Sequence, residues 1–232
     1  MAHQQTVPIE LFFWPTPNGF KISIMLEELA APYVLRFVNI NRGEQFTAEF
    51  LAVSPNNRIP AIVDPEGPGG KPLSVFESGA ILQYLGRKFA RFYPADERQR
   101  VAVDEWLIWQ VANIGPVFGN NNHFRNYAET RQEYAVERFL NETYRLYRVL
   151  NQRLAGRDYV AGDYSIADMA IFGWARNWQR RGIDIATFPN VERWHDRIAA
   201  RPAVARAVAV KPPVEIDIAR DAEARKVLFG QR

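Results

Sequence analysis

Among its 232 residues the chain has no cysteine. That excludes disulfides, thiolate-bound metals and any cysteine nucleophile of the protein's own. Histidine is nearly as scarce, and His3, His123 and His195 are scattered without metal-ligand spacing, so no metal is expected. No apolar run approaches the roughly 18 residues of a membrane span. The opening MAHQQTVPIEL has neither the basic nor the apolar block of a secretory signal. A cytoplasmic protein is the expectation. Charge of one sign is lacking too: 29 basic and 26 acidic residues leave a net +3, well interspersed. A nucleic-acid face would need clustered Lys and Arg, so none is expected. The stretch GPGGKP is no phosphate loop, because position 65 is Pro65 and Lys71 is followed by Pro72.

What is present suits a globular chain. Apolar residues make up 47%, and 6 Trp, 9 Tyr and 15 Phe supply bulky core material. The length fits one large or two modest domains. Ile9 to Trp14 is an apolar run between prolines and reads as a buried strand. Ile22, Met25, Leu26 and Leu29 follow helical spacing, and Pro32 stops that helix. Tyr33 to Ile40 reads as a second strand, which makes a parallel βαβ crossover. Thr47 to Val53 reads as a short capped helix. Ala61 to Asp64 and Leu73 to Phe76 read as a hairpin around PEGPGGK. Ser78 to Phe89 reads as a helix with Ser78 as its N-cap. The order is βαβαββα over about the first 90 residues.

After the linker RFYPADE no convincing strand run remains. The spacing predicts a helix through Val103, Trp106, Leu107 and Val111, ended or kinked at Gly115-Pro116. Further helices are predicted over 129–154, 165–181 and 190–200, with a polar loop at 119–127. The tail after Val210 has no assignment. Ser165 and Asp168 have capping-box spacing at a helix start.

Three segments carry candidate chemistry. In FFWPTPNGFKISIMLEEL, Asn18-Gly19 joins a strand to a helix. The junction is an ordinary helix entry, with Asn18 as the cap. The same geometry is also an anion seat, because a helix N-terminus offers N–H donors and partial positive charge. Thr16 adds a hydroxyl donor and Asn18 an amide donor. In NNRIPAIVD, Pro60 marks a strand start; were its bond cis, the Ile59 backbone would be free to pair with a peptide-like ligand. In FESGAIL, Glu77 offers a carboxylate for an ammonium group, and Ser78 with its helix end offers donors for a carboxylate. The last pair would grip an amino-acid head group.

In this order, PTPNGFKI, FLAVSPNNRIPAIVD, SVFESGAILQYL and SIAD resemble the cytosolic glutathione S-transferases, over about residues 8 to 210. The nearest likeness is to the bacterial nu class and to relatives of a fungal nitrogen regulator. The resemblance implies a thioredoxin-like α/β domain over 1–90 and an all-α helical domain over 98–232 that forms the second-substrate side of a cleft. It implies glutathione as cosubstrate, as one or two thiols or one disulfide per site, and a homodimer. Carried over by residue, Ile59 with cis Pro60 would pair with the cysteinyl backbone. Glu77 and Ser78 would hold the γ-glutamyl end. Gln45, Arg58 and Arg138 would line or reach the ligand. Thr16 and Asn18 would face its sulfur. The turn has no Tyr, Ser or Cys, so the resemblance is to the Thr/Asn type, which reduces disulfides with glutathione. Conjugation of electrophiles and reduction of organic hydroperoxides are alternatives, and glutathione binding without catalysis is a third.

Overall fold

The computed structural model describes residues 5–230. The chain divides into two compact units, Met1–Arg91 with Ala203–Arg232, and Phe92–Pro202.

The first unit is built on a sheet of order β2-β1-β3-β4, with β1 Ile9–Phe13, β2 Tyr33–Phe37, β3 Ala61–Asp64 and β4 Leu73–Phe76. β1 and β2 are parallel, joined through helix α1 Pro17–Leu29, and β3 and β4 are antiparallel to their neighbours. Side chains alternate across a strand. Thus Ile9, Leu11 and Phe13 point to one face and are buried, and Phe13 meets Phe20 of α1 edge-on. Phe12 points to the other and meets Phe50 of helix α2, Ala48–Val53. Trp14, Val38, Phe50, Ile59 and Ala61 form the core on that second face. Helix α3, Ser78–Phe89, packs against α1 on the first. The βαβαββα order is as expected.

Two helix starts differ from the reading of the sequence. α1 begins at Pro17, and its N-cap is Thr16 rather than Asn18. A residue before proline is driven out of the helical region, and proline is preorganised for the first helical position. Thr16 is accordingly extended, with φ −119° and ψ 164°, and its Oγ1 accepts the Gly19 N–H at 3.1 Å. At α3 the cap position is Glu77, which makes no capping hydrogen bond, and Ser78 is already helical.

The second unit is helical: α4 Glu97–Trp109, α5 Gly115–Asn126, α6 Glu133–Arg153, α7 Ile166–Ala175 and α8 Pro189–Ala199. Gly115-Pro116 does not break the chain. A π-helical stretch, Gln110–Ile114, carries α4 into α5, the Gly115 N–H bonding the Gln110 carbonyl just before Pro116, which has no N–H to donate. The polar run 119–127 is therefore mostly helix, not loop. One reason is buried satisfaction of Asn121, whose amide donates to Thr143 Oγ1 at 3.1 Å and to the Arg181 carbonyl at 3.2 Å. The predicted helix over 165–181 ends at Ala175 and gives way to a 3₁₀ turn at Gln179–Arg181. The Ser165–Asp168 capping box forms as expected. Asp168 also accepts from the Val160 N–H at 3.0 Å and Trp194 Nε1 at 2.9 Å, tying α7 to α8.

From Ala203 onward the chain groups with the first unit, across the expected 98–232 boundary. It forms α9 Pro202–Val208 and α10 Ala222–Phe229. Arg42 binds Asp221 at 2.8 Å and Glu223 at 3.2 Å, and Arg206 binds Glu27 at 2.7 Å. Among the described residues no helix is long and apolar enough to cross a membrane.

Candidate functional site

The strand register gathers the candidate residues at one end of the sheet. Phe12 pairs with Ala61, so the next positions set Pro60 and Ile59 beside Phe13 and Trp14. Ala61 also pairs with Phe76, which sets Pro60 beside Glu77. The turn after β1, the approach to β3 and the exit from β4 therefore meet. Thr16 and Asn18, Ile59 and Pro60, and Glu77 and Ser78 share that edge.

Each piece has a local cause. The Thr16 N–H bonds the Trp14 carbonyl at 2.7 Å, which tightens the turn. Gly19 lets α1 start against it, because a Cβ there would lie 2.3 Å from the Trp14 carbonyl oxygen. The Thr16 hydroxyl accepts from Gly19 with a lone pair and keeps its proton for donation. Asn18 is half-buried in the first turn of α1.

The Ile59-Pro60 bond is cis. The N–H and C=O of Ile59 have no hydrogen-bond partner among the described residues. Such an unpaired backbone edge suits pairing with a peptide-like ligand.

Glu77 has φ 67° and ψ 116°. A non-glycine residue at positive φ costs of order 1–3 kcal/mol, and such strain concentrates at functional sites. Its carboxylate is exposed and accepts from Asn56 Nδ2 at 3.2 Å. Ser78 beside it is buried and accepts from the ammonium of Lys21 at 3.1 Å.

Lys21 was not singled out by the sequence reading. It is only 2% exposed, on a helix buried on every side from Gly19 to Leu26. Burial pushes its ammonium down to about 7, against the upward pull of Glu77. The available signal was a single lysine inside an otherwise apolar run.

The remaining expected residues lie elsewhere or face inward. Gln45 is buried; its amide nitrogen donates to the Ile40 carbonyl at 3.1 Å, and its Oε1 has no partner among the described residues. Arg58 is exposed next to Ile59, and its carbonyl accepts from Ser54 Oγ at 2.9 Å. Arg138 is exposed on α6, in the second unit. No group of His, Asp and Glu able to hold a metal occurs among the described residues.

A helix start carrying the Thr16 hydroxyl, an open backbone edge at Ile59 and an adjacent carboxylate and hydroxyl are features that suit a zwitterionic, peptide-like ligand. Family models match the chain as the N-terminal domain of glutathione S-transferase over residues 7–87 and its C-terminal domain over 110–202. The disulfide-bond oxidoreductase YfcG of Escherichia coli is 50% identical over 202 residues, covering 86% of this chain and 94% of the relative. A glutathione transferase from Pseudomonas putida, solved with one glutathione disulfide bound per subunit, superposes with a TM-score of 0.84 at 42% identity, covering 88% of this chain and 91% of that one. One from Burkholderia graminis, with two glutathione molecules per subunit, gives 0.83 at 44%, covering 90% and 89%. The chain belongs to the glutathione S-transferase family.

Proposed function

We propose that this protein is a glutathione-dependent disulfide-bond reductase. The observation that carries the reading is the start of α1: a Thr16 hydroxyl and the Asn18 amide at a helix N-terminus, in a chain that owns no cysteine. Such an end seats a sulfur the ligand supplies. The likeness to YfcG, and to relatives solved with glutathione or its disulfide, supports it.

The protein's residues do the following. Ile59 pairs with the cysteinyl backbone of glutathione. Glu77 takes the γ-glutamyl ammonium, and Ser78 with the start of α3 takes its carboxylate. Arg58 is exposed beside Ile59, and the family resemblance assigns it, Gln45 and Arg138 to the same ligand. The glutathione-binding role is thereby assigned to residues 1–90, and that of the second substrate to the helical residues 98–232. Thr16 and Asn18 donate to the sulfur and lower its pKa. A free thiol of this type ionises near 8.5. A hydrogen bond to a charged group contributes roughly 1.5–3 kcal/mol and a helix end ~0.3–1 kcal/mol. At about 1.36 kcal/mol per pKa unit, the ionisation falls by one to three units.

The thiolate then attacks one sulfur of a substrate disulfide. A glutathione mixed disulfide forms, the other sulfur leaves as thiolate, and that thiolate takes up a proton. A second glutathione attacks the mixed disulfide, releasing the remaining substrate thiol and glutathione disulfide. Two glutathione thiols are oxidised and one substrate disulfide is reduced. We also read the molecule as a cytoplasmic homodimer, as the family resemblance implies; Val101 and Ile108 of α4 are exposed apolar side chains available to such an interface.

The test is turnover of a small symmetric disulfide with glutathione, run beside an aryl halide and an organic hydroperoxide. Disulfide turnover should exceed the other two. Asn18→Ala should lower it at least tenfold; a variant within twofold of wild type would remove Asn18 from the mechanism.

A further inference from the structure

A buried ammonium is costly, because the charge forfeits its hydration. At Lys21 an apolar side chain of equal length would match its surroundings on α1 better. The position therefore calls for a use of the charge. Two features of its geometry indicate one. Lys21 Nζ donates to Ser78 Oγ at 3.1 Å, spanning from α1 to the first residue of α3. That bond occupies a lone pair of the Ser78 hydroxyl and leaves the hydroxyl proton to be donated away from Lys21. Second, α3 starts without a side-chain cap, because the Glu77 carboxylate at its cap position accepts no hydrogen bond from it. The partial positive charge of that helix end is thus joined from below by the Lys21 ammonium, whose protonated form a carboxylate seated there would favour.

We propose that Lys21 is a positioning residue for the γ-glutamyl end of glutathione, orienting the Ser78 hydroxyl and placing a buried positive charge behind the seat of the ligand's α-carboxylate. This rests on the reading of the site as a glutathione site and deepens it. Lys21 touches Ser78 and acts through it. Glu77, the acidic neighbour that pulls on the Lys21 ammonium, stays available to the ligand's own ammonium. Cation and carboxylate in the protein are thereby matched, in reverse order, to the two charges of an amino-acid head group.

A structural lysine and a positioning lysine differ in what they do to two ligands. The experiment is calorimetric titration of the full chain with glutathione and with 4-aminobutyryl-cysteinylglycine, which is glutathione without the α-carboxylate. Wild type should bind glutathione at least tenfold more tightly than the analogue. Lys21→Met should weaken glutathione at least tenfold and the analogue less than twofold, so that the preference collapses. In turnover the change should appear in KM for glutathione more than in kcat. Lys21→Gln, which keeps a hydrogen-bond donor and removes the charge, should show the same collapse, and circular dichroism checks that each variant is folded. Equal weakening of both ligands, or none, would overturn the proposal. So would wild-type protein that binds the two ligands alike, with no variant needed. Wild-type protein that binds neither ligand would overturn the glutathione reading itself, and this proposal with it.

Discussion

Thr16→Val separates the two jobs that the turn assigns to one hydroxyl. The substitution is close to isosteric and removes only the oxygen. Its first effect is on the fold. The Gly19 N–H loses its acceptor at 3.1 Å, and cap loss costs about 0.5–2 kcal/mol. For a chain of this size that lowers the melting temperature by roughly 2–4 °C per kcal/mol. Its second effect is on the ligand. Without the hydroxyl proton the bound thiolate loses a charge-assisted hydrogen bond of roughly 1.5–3 kcal/mol, so its pKa rises by about one to two units. The first is read by thermal unfolding without ligand. The second is read by ultraviolet titration of the thiolate in protein saturated with glutathione. Thr16→Ser keeps both the acceptor and the proton and should resemble wild type in both assays. A Thr16→Val protein that melts lower yet leaves the thiol pKa unmoved would make Thr16 a cap and nothing more. The sulfur chemistry would then have to be carried by Asn18 without it.

Glu77 offers a reversal of the usual ranking. At φ 67° and ψ 116° glycine is less strained than alanine, so Glu77→Gly should be more stable than Glu77→Ala by about 1 kcal/mol, in thermal or urea unfolding, while both lose affinity for glutathione. Equal stabilities would mean that the backbone relaxes freely there. Lys88 and Asp64 form a buried ion pair in the first unit, their side chains 8% and 0% exposed. Lys88→Met strands the carboxylate and should cost about 3–5 kcal/mol. Burial pushes the Asp64 carboxyl up, but hydrogen bonds from Lys88, Tyr84, the Glu66 N–H and Gln5 hold it below its ordinary value. A carboxyl that ionises more readily folded than unfolded stabilises above the unfolded pKa, about 3.9, and that contribution is lost as pH falls through the folded value. Urea midpoints taken across the acid range should therefore fall steeply in wild type and less steeply in Lys88→Met; parallel curves would remove Asp64 from acid unfolding.

Much of the first unit was legible because its signals are local. The apolar run from Ile9 to Trp14 between prolines and the turn-rich PEGPGGK need no partner to be recognised. Helix starts were legible only to within a residue or two. The rule that Pro17 expels Thr16 from the helix competes with the cap preference of Asn18, and the proline won because its restriction is steric. The run 119–127 misled for the opposite reason. Its asparagines look solvated in sequence, yet Asn121 is satisfied inside the protein by Thr143 and the Arg181 carbonyl, residues far along the chain. The tail was illegible likewise, since the partners of Asp221 and Glu223 lie at Arg42. Lys21 was missed because helical periodicity treats a lysine as surface. Only the pairing of β3 with β4, which brings Ser78 beside α1, reveals what it meets.

In the proposed reaction the missing cysteine follows from the same electrostatics. A helix end stabilises whichever sulfur comes nearest, attacking or leaving, because charge and donors do not distinguish the two. A protein thiol at position 16 would compete for that stabilisation. It would ionise there, attack glutathione disulfide and hold the glutathionyl group as a mixed disulfide until another thiol released it. A hydroxyl is hardly ionised near neutral pH, so it donates a hydrogen bond and takes no part in the exchange. Thr16 therefore leaves the seat to the ligand's sulfur. The remaining grip must then come from the tripeptide's other end, since the sulfur has to remain free to exchange partners. That is the part proposed for the strained Glu77 and the buried Lys21.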